Sequence, residues 1–286
     1  MSSISLGVAT WRDGERFRAF LESLVGQAFE QVRIREAFVM TPNDNIGLAQ
    51  AALDEVRLPY PVQLLNEGRR AGKHVAVNMF LKSAASQQLV LCSGDIVLDS
   101  HAIEQVCRPL RDQAIGIVAA RPLPLPEKHA LSDVLDTLWT VHHSVSLMSP
   151  KFGEMLAFRN VGIELPQTAV DEEAIAALIL ARGYRAAYSE SALVYNAGPR
   201  CITDFLSQRR RIYCGHLQLG RSHRHRPLTL DSLATLRLAT RAYREGKVSA
   251  RGYLLGLPLE AASRLLGYAD YLRDADHSRW SLVERS

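Results

Sequence analysis

VQLLNEGRRAGKHVAVNMFLKSAASQQLVLCSGDIVL, residues 62–98, decides how the chain is read. Val62, Leu64 and Leu65 form a short apolar run, and Gly68 and Gly72 punctuate a basic loop carrying Arg69, Arg70 and Lys73. Val75, Met79 and Leu81 then begin a helical period, and the apolar run Leu89, Val90, Leu91, Cys92 closes at Ser93-Gly94-Asp95. Strand, glycine-bearing loop, helix and strand make up the repeating unit of open α/β sheets, which receive ligands beyond the carboxyl ends of their strands. Asp95 occupies that position, and the upstream lysine and arginines carry charge suited to phosphates. By itself, an aspartate there equally serves as a turn residue capping the next helix.

The same unit opens the chain. Residues 4–10 (ISLGVAT) predict a buried first strand, Trp11-Arg12-Asp13-Gly14 its turn, and Phe17, Phe20, Leu21, Leu24 and Val25 a helix behind it. Residues 34–40 (IREAFVM) predict a second strand, broken by Thr41-Pro42-Asn43-Asp44-Asn45, with a short helix over 48–56. Beyond the central stretch, 99–110 reads as a helix and 114–120 (AIGIVAA) as another buried strand, followed by a proline-rich loop over 121–126. A helical period over 131–145 contains Trp139, His142 and His143. Adjacent histidines point to different faces of a helix, so they do not form an i, i+4 metal pair, and one of them can face a cleft.

Residues 153–160 (GEMLAFRN) have the pattern of a strand with arginine near its end. After a loop over 166–170, Asp171-Glu172-Glu173 opens a helix that runs to Gly183-Tyr184. Acidic residues in a first turn are favoured by the helix dipole whether or not they do chemistry. A further strand over 186–195 leads to Asp204-Phe205-Leu206-Ser207-Gln208-Arg209-Arg210-Arg211-Ile212. The run 209–226 is rich in Arg and His, and 228–272 predicts two or three amphipathic helices.

Taken together, these segments resemble family 2 glycosyltransferases of the GT-A fold. Gly72-Lys73, Ala76 and Asn78 match G-K-x-x-A-x-N; Asp95 matches the last aspartate of Asp-x-Asp, with Ser93 where the first would be. Residues 153–159 match G-x-x-x-x-x-R, and Gln208 and Arg211 match Q-x-x-R. The resemblance implies a GT-A type α/β fold, a mostly parallel sheet between helices, with residues 1–226 as the glycosyltransferase domain and 227–286 as a helical extension. It implies a divalent metal, Mg2+ or Mn2+, on Asp95, and a nucleotide base beside Thr10 and Asp13. Lys73, Asn78, Gln208 and Arg211 are expected to hold donor or acceptor. The family's acidic pair falls on Asp171 and Glu172, with the base on Glu172 by register from Gly183 and Asp171 as the alternative. Thr41 and Pro42 stand where relatives carry paired aspartates that hold the base, so a UDP-sugar is the implied donor with other nucleotides open. Ile212 replaces a tryptophan used by processive synthases, which favours a single transfer.

Composition agrees with a globular chain. The 286 residues allow one large domain or two small ones, and 47% apolar with 22% charged residues argue against a disordered chain. A net charge of +4 does not indicate nucleic acid, and no nucleic-acid motif accompanies the basic run. Four cysteines, Cys92, Cys107, Cys201 and Cys214, are too scattered for a disulfide framework or zinc ribbon. The start MSSISLGVATW lacks a basic region followed by an apolar core, and no run of about 20 uncharged apolar residues exists. Cytoplasm is the expected location, with the inner membrane face as the site where the basic, amphipathic tail and a lipid-linked hydroxyl acceptor would meet. A sugar-phosphate nucleotidyltransferase and a non-catalytic sugar-nucleotide binder are the alternatives: the first lacks its glycine-rich loop after strand one, and the second is prompted by Ser93 and Thr41-Pro42.

Overall fold

A computed structural model describes residues 1–223 and 225–278. Strands β1 (Ser2–Ala9), β2 (Val32–Thr41), β3 (Val62–Asn66) and β4 (Gln88–Ser93) alternate with helices α1 (Glu15–Val25), α2 (Ile46–Glu55) and α3 (Lys73–Ser83). Then come β5 (Ile96–Leu98), α4 (Ala102–Cys107), β6 (Ile115–Pro124), α5 (Ser132–Met148), β7 (Met155–Arg159), α6 (Asp171–Leu180) and β8 (Arg185–Asn196). Three helices follow, α7 (Ile202–His223), α8 (Ser232–Arg244) and α9 (Ala250–Leu272). Residues 279–286 of the expected extension, and Arg224 of the basic run, lie outside the described residues.

One eight-stranded sheet carries all of this, in the order β3-β2-β1-β4-β7-β6-β8-β5. Pairings among β1, β2, β3 and β4 are parallel, as is β6 with β8; β7 enters antiparallel between β4 and β6, and β5 pairs antiparallel with β8. The expected element order holds, with shifted edges. The helix expected over 99–110 begins at Ala102 and tightens into a 3-10 turn, Arg108–Arg111. Strand β5 is too short for periodicity to reveal; it forms because Ile96, Val97 and Leu98 find partners at the end of β8.

Both faces of the sheet are covered, which explains the near-continuous apolar runs of its strands. Ile4, Leu6 and Val8 of β1 pack with Phe17, Phe20, Leu21 and Leu24 of α1. On the opposite face Phe38, Met40, Leu89 and Leu91 pack with Ala76, Val77 and Phe80 of α3. Each fully buried leucine or phenylalanine stabilises by about 1.5–3 kcal/mol relative to exposure.

Helix α9 is fixed to the rest by close backbone approach and charge. A Cβ at Gly252 would lie 2.2 Å from the Asp133 carbonyl oxygen of α5, and one at Gly267 2.6 Å from the Arg210 carbonyl oxygen of α7. Arg209 donates to Glu260 at 2.9 and 3.0 Å, Arg264 donates to the same carboxylate at 2.9 Å, and Arg210 pairs with Asp270. Any side chain at Gly252 or Gly267 would therefore force the helices apart.

Candidate active site

The carboxyl ends of β1 and β4 meet where Gly94 donates its N–H to the Ala9 carbonyl at 2.9 Å. A Cβ on Gly94 would sit 2.8 Å from Thr10 Cβ, so only glycine lets the Ser93-Gly94-Asp95 turn close against β1. This turn forms one edge of a cleft of about 1040 Å³. Lys73, Ser93, Asp95, Glu154, Asp171 and Glu172 line its sheet side, and Gln208 and Arg211 come from α7. Carboxylates from residues 95 to 172, distant in the chain, thus face one space.

Lys73, at the first position of α3, joins them. Its Nζ donates to Glu172 Oε1 at 2.5 Å, a contact across 99 residues of sequence, and to Ser93 Oγ at 3.1 Å. Burial alone would lower the ammonium, but the charges of Glu172 and Asp171 outweigh it and hold Lys73 above the ordinary lysine range. For Glu172, burial would raise the carboxyl, and the Lys73 charge and hydrogen bond overcome it, leaving the group lowered. Asp171 goes the other way: burial and the Glu172 charge push it up to about 7 against the pull of Lys73 and Arg211. It is 4% exposed, and its Oδ1 has no hydrogen-bond partner among the described residues. Arg211 is lowered by burial and reaches the Ala169 carbonyl at 3.4 Å.

The third acid of that turn has a different job. Glu173 is 1% exposed, accepts the Phe152 N–H at 3.1 Å, and pairs with Lys151 at 2.9 Å and His225 at 2.7 Å. Burial would raise it, but Lys151 and His225 hold it well below the carboxylate range. It ties α6 to the mouth of β7 and so sets the rotation of α6 that presents Asp171 and Glu172 to the cleft.

The remaining expected residues divide. Thr10 Oγ1 donates to Asp13 Oδ2 at 2.8 Å, and the same oxygen accepts the Trp11 N–H at 3.1 Å, closing the β1 turn. Trp11 extends from this turn beneath the Arg70 guanidinium, 3.5 Å from the ring centroid, and its Nε1 reaches Asp44 at 3.3 Å. Thr10 and Asp13 therefore build a shelf beside the cleft without lining it. Asn78 spends its amide on the Leu165 backbone, donating at 2.9 Å and accepting at 2.8 Å, and is not among the cleft residues. The adjacent histidines do part: His142 lines the cleft, lowered to about 3 mainly by burial, whereas His143 bonds the Tyr188 hydroxyl at 2.9 Å.

Glu154 is the site residue that sequence reading missed. Burial, then the charges of Asp95 and Glu172, push it up to about 7, and Asn196 hydrogen-bonds its side chain. A carboxylate at the mouth of an apolar strand was its signal, but only the pairing of β7 with β4 brings it to Asp95. Among the described residues no three His, Cys, Asp or Glu side chains form a metal-holding group. Asp95 and Glu154 nonetheless offer a hard oxygen set of the type Mg2+ or Mn2+ takes when substrate phosphates complete the shell.

The helical side of the cleft is apolar. Leu138 and Trp139 of α5, Leu236 of α8, and Leu257, Leu265 and Tyr268 of α9 line it. Two buried nitrogen atoms there, Trp139 Nε1 and His216 Nε2, lack hydrogen-bond partners among the described residues.

A parallel half-sheet joined through an antiparallel strand to a second half, with carboxylates and cations gathered at the strand ends, defines the GT-A class of sugar transferases. Residues 2–215 match the family described as "Glycosyltransferase like family 2", and the chain belongs to that family; it is a glycosyltransferase. Among solved structures it is similar to the mannosyltransferase PcManGT from Pyrobaculum calidifontis, solved with GDP-Man and Mn2+, at TM-score 0.68 and 17% identity over 95% of this chain and 87% of that one. It is also similar to glucosyl-3-phosphoglycerate synthase from Mycobacterium tuberculosis, solved with Mn2+, UDP and phosphoglyceric acid, at TM-score 0.51 and 13% identity over 77% and 78%. S. aureus TarS aligns at TM-score 0.50 and 14% identity over 97% of this chain and 54% of that one. No curated protein matches the sequence at a significant level.

Proposed function

We propose that the chain moves a single sugar from a nucleotide-sugar to an acceptor hydroxyl with inversion, using a divalent metal ion, and that a UDP-sugar is the first donor to test and a GDP-sugar the second. The observation that carries this reading is the convergence of Asp95, Asp171, Glu172, Lys73 and Arg211 on one cleft. Single displacement needs a carboxylate on the acceptor side and cations on the diphosphate side of the anomeric carbon. The metal, when bound through Asp95, supplies Lewis-acid neutralisation of charge growing on the leaving phosphate. Lys73 and Arg211 add fixed positive charge at the same place, and the Trp11–Arg70 shelf offers a flat surface for the base.

Proton removal falls to the Asp171–Glu172 pair. The register with the family favours Glu172. The unpartnered Oδ1 of Asp171, and its pKa of about 7, favour Asp171 as the oxygen that receives the proton, with Glu172 held ionised by Lys73. A base is most effective when its pKa lies near the working pH.

The apolar helical wall supports an acceptor that carries a hydrophobic portion. Leu265 of that wall is also 73% exposed, and Leu233 and Leu254, on the same helices α8 and α9, are 64% and 66% exposed. Exposed Arg237, Arg241 and Arg244 share α8, a composition suited to an anionic membrane surface. No helix among the described residues is long and apolar enough to cross a membrane, so the contact proposed is peripheral.

The test is release of nucleoside diphosphate when pure protein is incubated with Mn2+ and a panel of nucleotide-sugars with lipid-linked acceptors. At least one donor should turn over, and Asp95→Ala should abolish the release. No turnover with any donor, or full turnover in Asp95→Ala, would refute the assignment.

A further inference from the structure

Strand β4 ends on Ser93 where the family pattern leads one to expect a carboxylate, and the sheet supplies one from elsewhere. In the antiparallel pairing of β4 with β7, Cys92 stands opposite Met155, and Ser93 donates its N–H to the Glu154 carbonyl at 3.0 Å. Ser93 and Glu154 are therefore directly opposed. Opposed residues on neighbouring strands project to the same face, with Cβ atoms about 4.5–5.5 Å apart. Both line the cleft. A glutamate, one methylene longer than aspartate, can bring its carboxylate back across that gap.

The end of β8 holds Glu154 near Asp95. Asn196 hydrogen-bonds its side chain, and Asn196 is the residue paired with Ile96, the immediate neighbour of Asp95. Independently of this pair, Asp171 presents to the same cleft a buried carboxylate oxygen with no partner among the described residues, which marks the space as built for a ligand. Lys73 meanwhile donates to the Ser93 hydroxyl, and Asp95 and Glu154 line the same cleft.

We propose that Glu154 is a metal ligand, replacing across the β4–β7 pairing the carboxylate that Ser93 lacks, so that Asp95 and Glu154 together hold the Mg2+ or Mn2+ of a bound nucleoside diphosphate. The inference rests on the metal-assisted reading above. Mg2+ and Mn2+ accept one or two carboxylates with phosphate oxygens and water completing an all-oxygen shell, and this pair fits that requirement.

Mn2+ binding read by electron paramagnetic resonance, in the presence of UDP and separately of GDP, tests it without turnover. Wild-type protein should bind Mn2+ with at least one nucleotide, and Glu154→Gln and Asp95→Asn should each weaken it by at least the roughly 10–100-fold that follows loss of residues that only orient metal ligands. Circular dichroism melts establish that each variant is folded. The double variant Ser93→Asp/Glu154→Gln moves the carboxylate back to β4 and should recover most of the affinity. If Glu154→Gln binds Mn2+ like wild type while Asp95→Asn does not, Glu154 is no ligand although the metal-assisted reading stands. If folded wild-type protein binds no Mn2+ with either nucleotide, both fall together. A folded double variant that stays as weak as Glu154→Gln overturns the exchange of positions.

Discussion

Replacing Asp171 by asparagine should stabilise the fold while removing activity, and the size of the gain should follow pH. Asp171 is pushed from 3.8 to about 7 by burial and by Glu172. A carboxyl raised in the folded state binds protons that the unfolded chain has released. Its favourable contribution is complete below pH 3.8 and is lost progressively as pH rises to 7. A shift of three units corresponds to about 4 kcal/mol at most. Because Asp171 and Glu172 titrate together, Asp171's own share is about 2–4 kcal/mol. Asparagine keeps the shape and never ionises, so the variant escapes that loss. For a chain of this length about 2 °C accompanies each kcal/mol, giving a rise in Tm of roughly 4–8 °C at pH 8. Melting followed by circular dichroism at half-unit pH steps should show the difference growing between pH 4 and pH 7 and flat beyond it. Loss of the base should lower kcat by about 10²–10⁴-fold under the same conditions. A variant no more stable than wild type at pH 8, or a gain independent of pH, would refute the account of Asp171 as a buried, unfavourably ionised base.

Other outcomes follow from the same contacts. The pH profile of kcat/KM should rise through about pH 7 as Asp171 ionises, and Glu172→Gln should move its inflection to lower pH, because a like charge that raised Asp171 has gone; an unmoved inflection would assign it to another group. Lys73→Met leaves Glu172 buried without its ion-pair partner, and should cost about 3–5 kcal/mol in urea unfolding and raise the KM for donor; unchanged values for both would remove Lys73 from the site. Lys151→Met should cost a similar amount at pH 7 through Glu173, whose pKa is depressed in the fold. That penalty should shrink as pH falls below 4.5, where the unfolded chain is protonated and the advantage of the ionised form disappears. Leu233→Glu/Leu254→Glu should abolish co-sedimentation with vesicles containing anionic lipid while leaving turnover of a water-soluble acceptor analogue in place; equal vesicle binding by both proteins would exclude this face as the contact.

Much of the fold could be read locally. The apolar runs of β1, β2, β4 and β6 and the helical periods of α1 and α5 are properties of neighbouring residues, and they appear close to where they were expected. Gly72-Lys73, Asp95 and the acidic start of α6 were visible for the same reason, as residue types at fixed spacing. What each acid does was not visible. Asp171, Glu172 and Glu173 occupy one helical turn and look interchangeable in sequence, yet rotation of α6 gives one an unpartnered oxygen, one a lysine from 99 residues away, and one a buried cluster at the mouth of β7.

The sequence by itself determined the α/β alternation and the residue types available for sugar transfer, because hydrophobic periodicity and turn chemistry act over a few residues. Only the tertiary structure decided that β7 runs antiparallel beside β4, setting Glu154 opposite Ser93, and that α5, α8 and α9 wall the cleft. Strand register and helix rotation are fixed by packing between segments distant in the chain, and no local pattern carries that information.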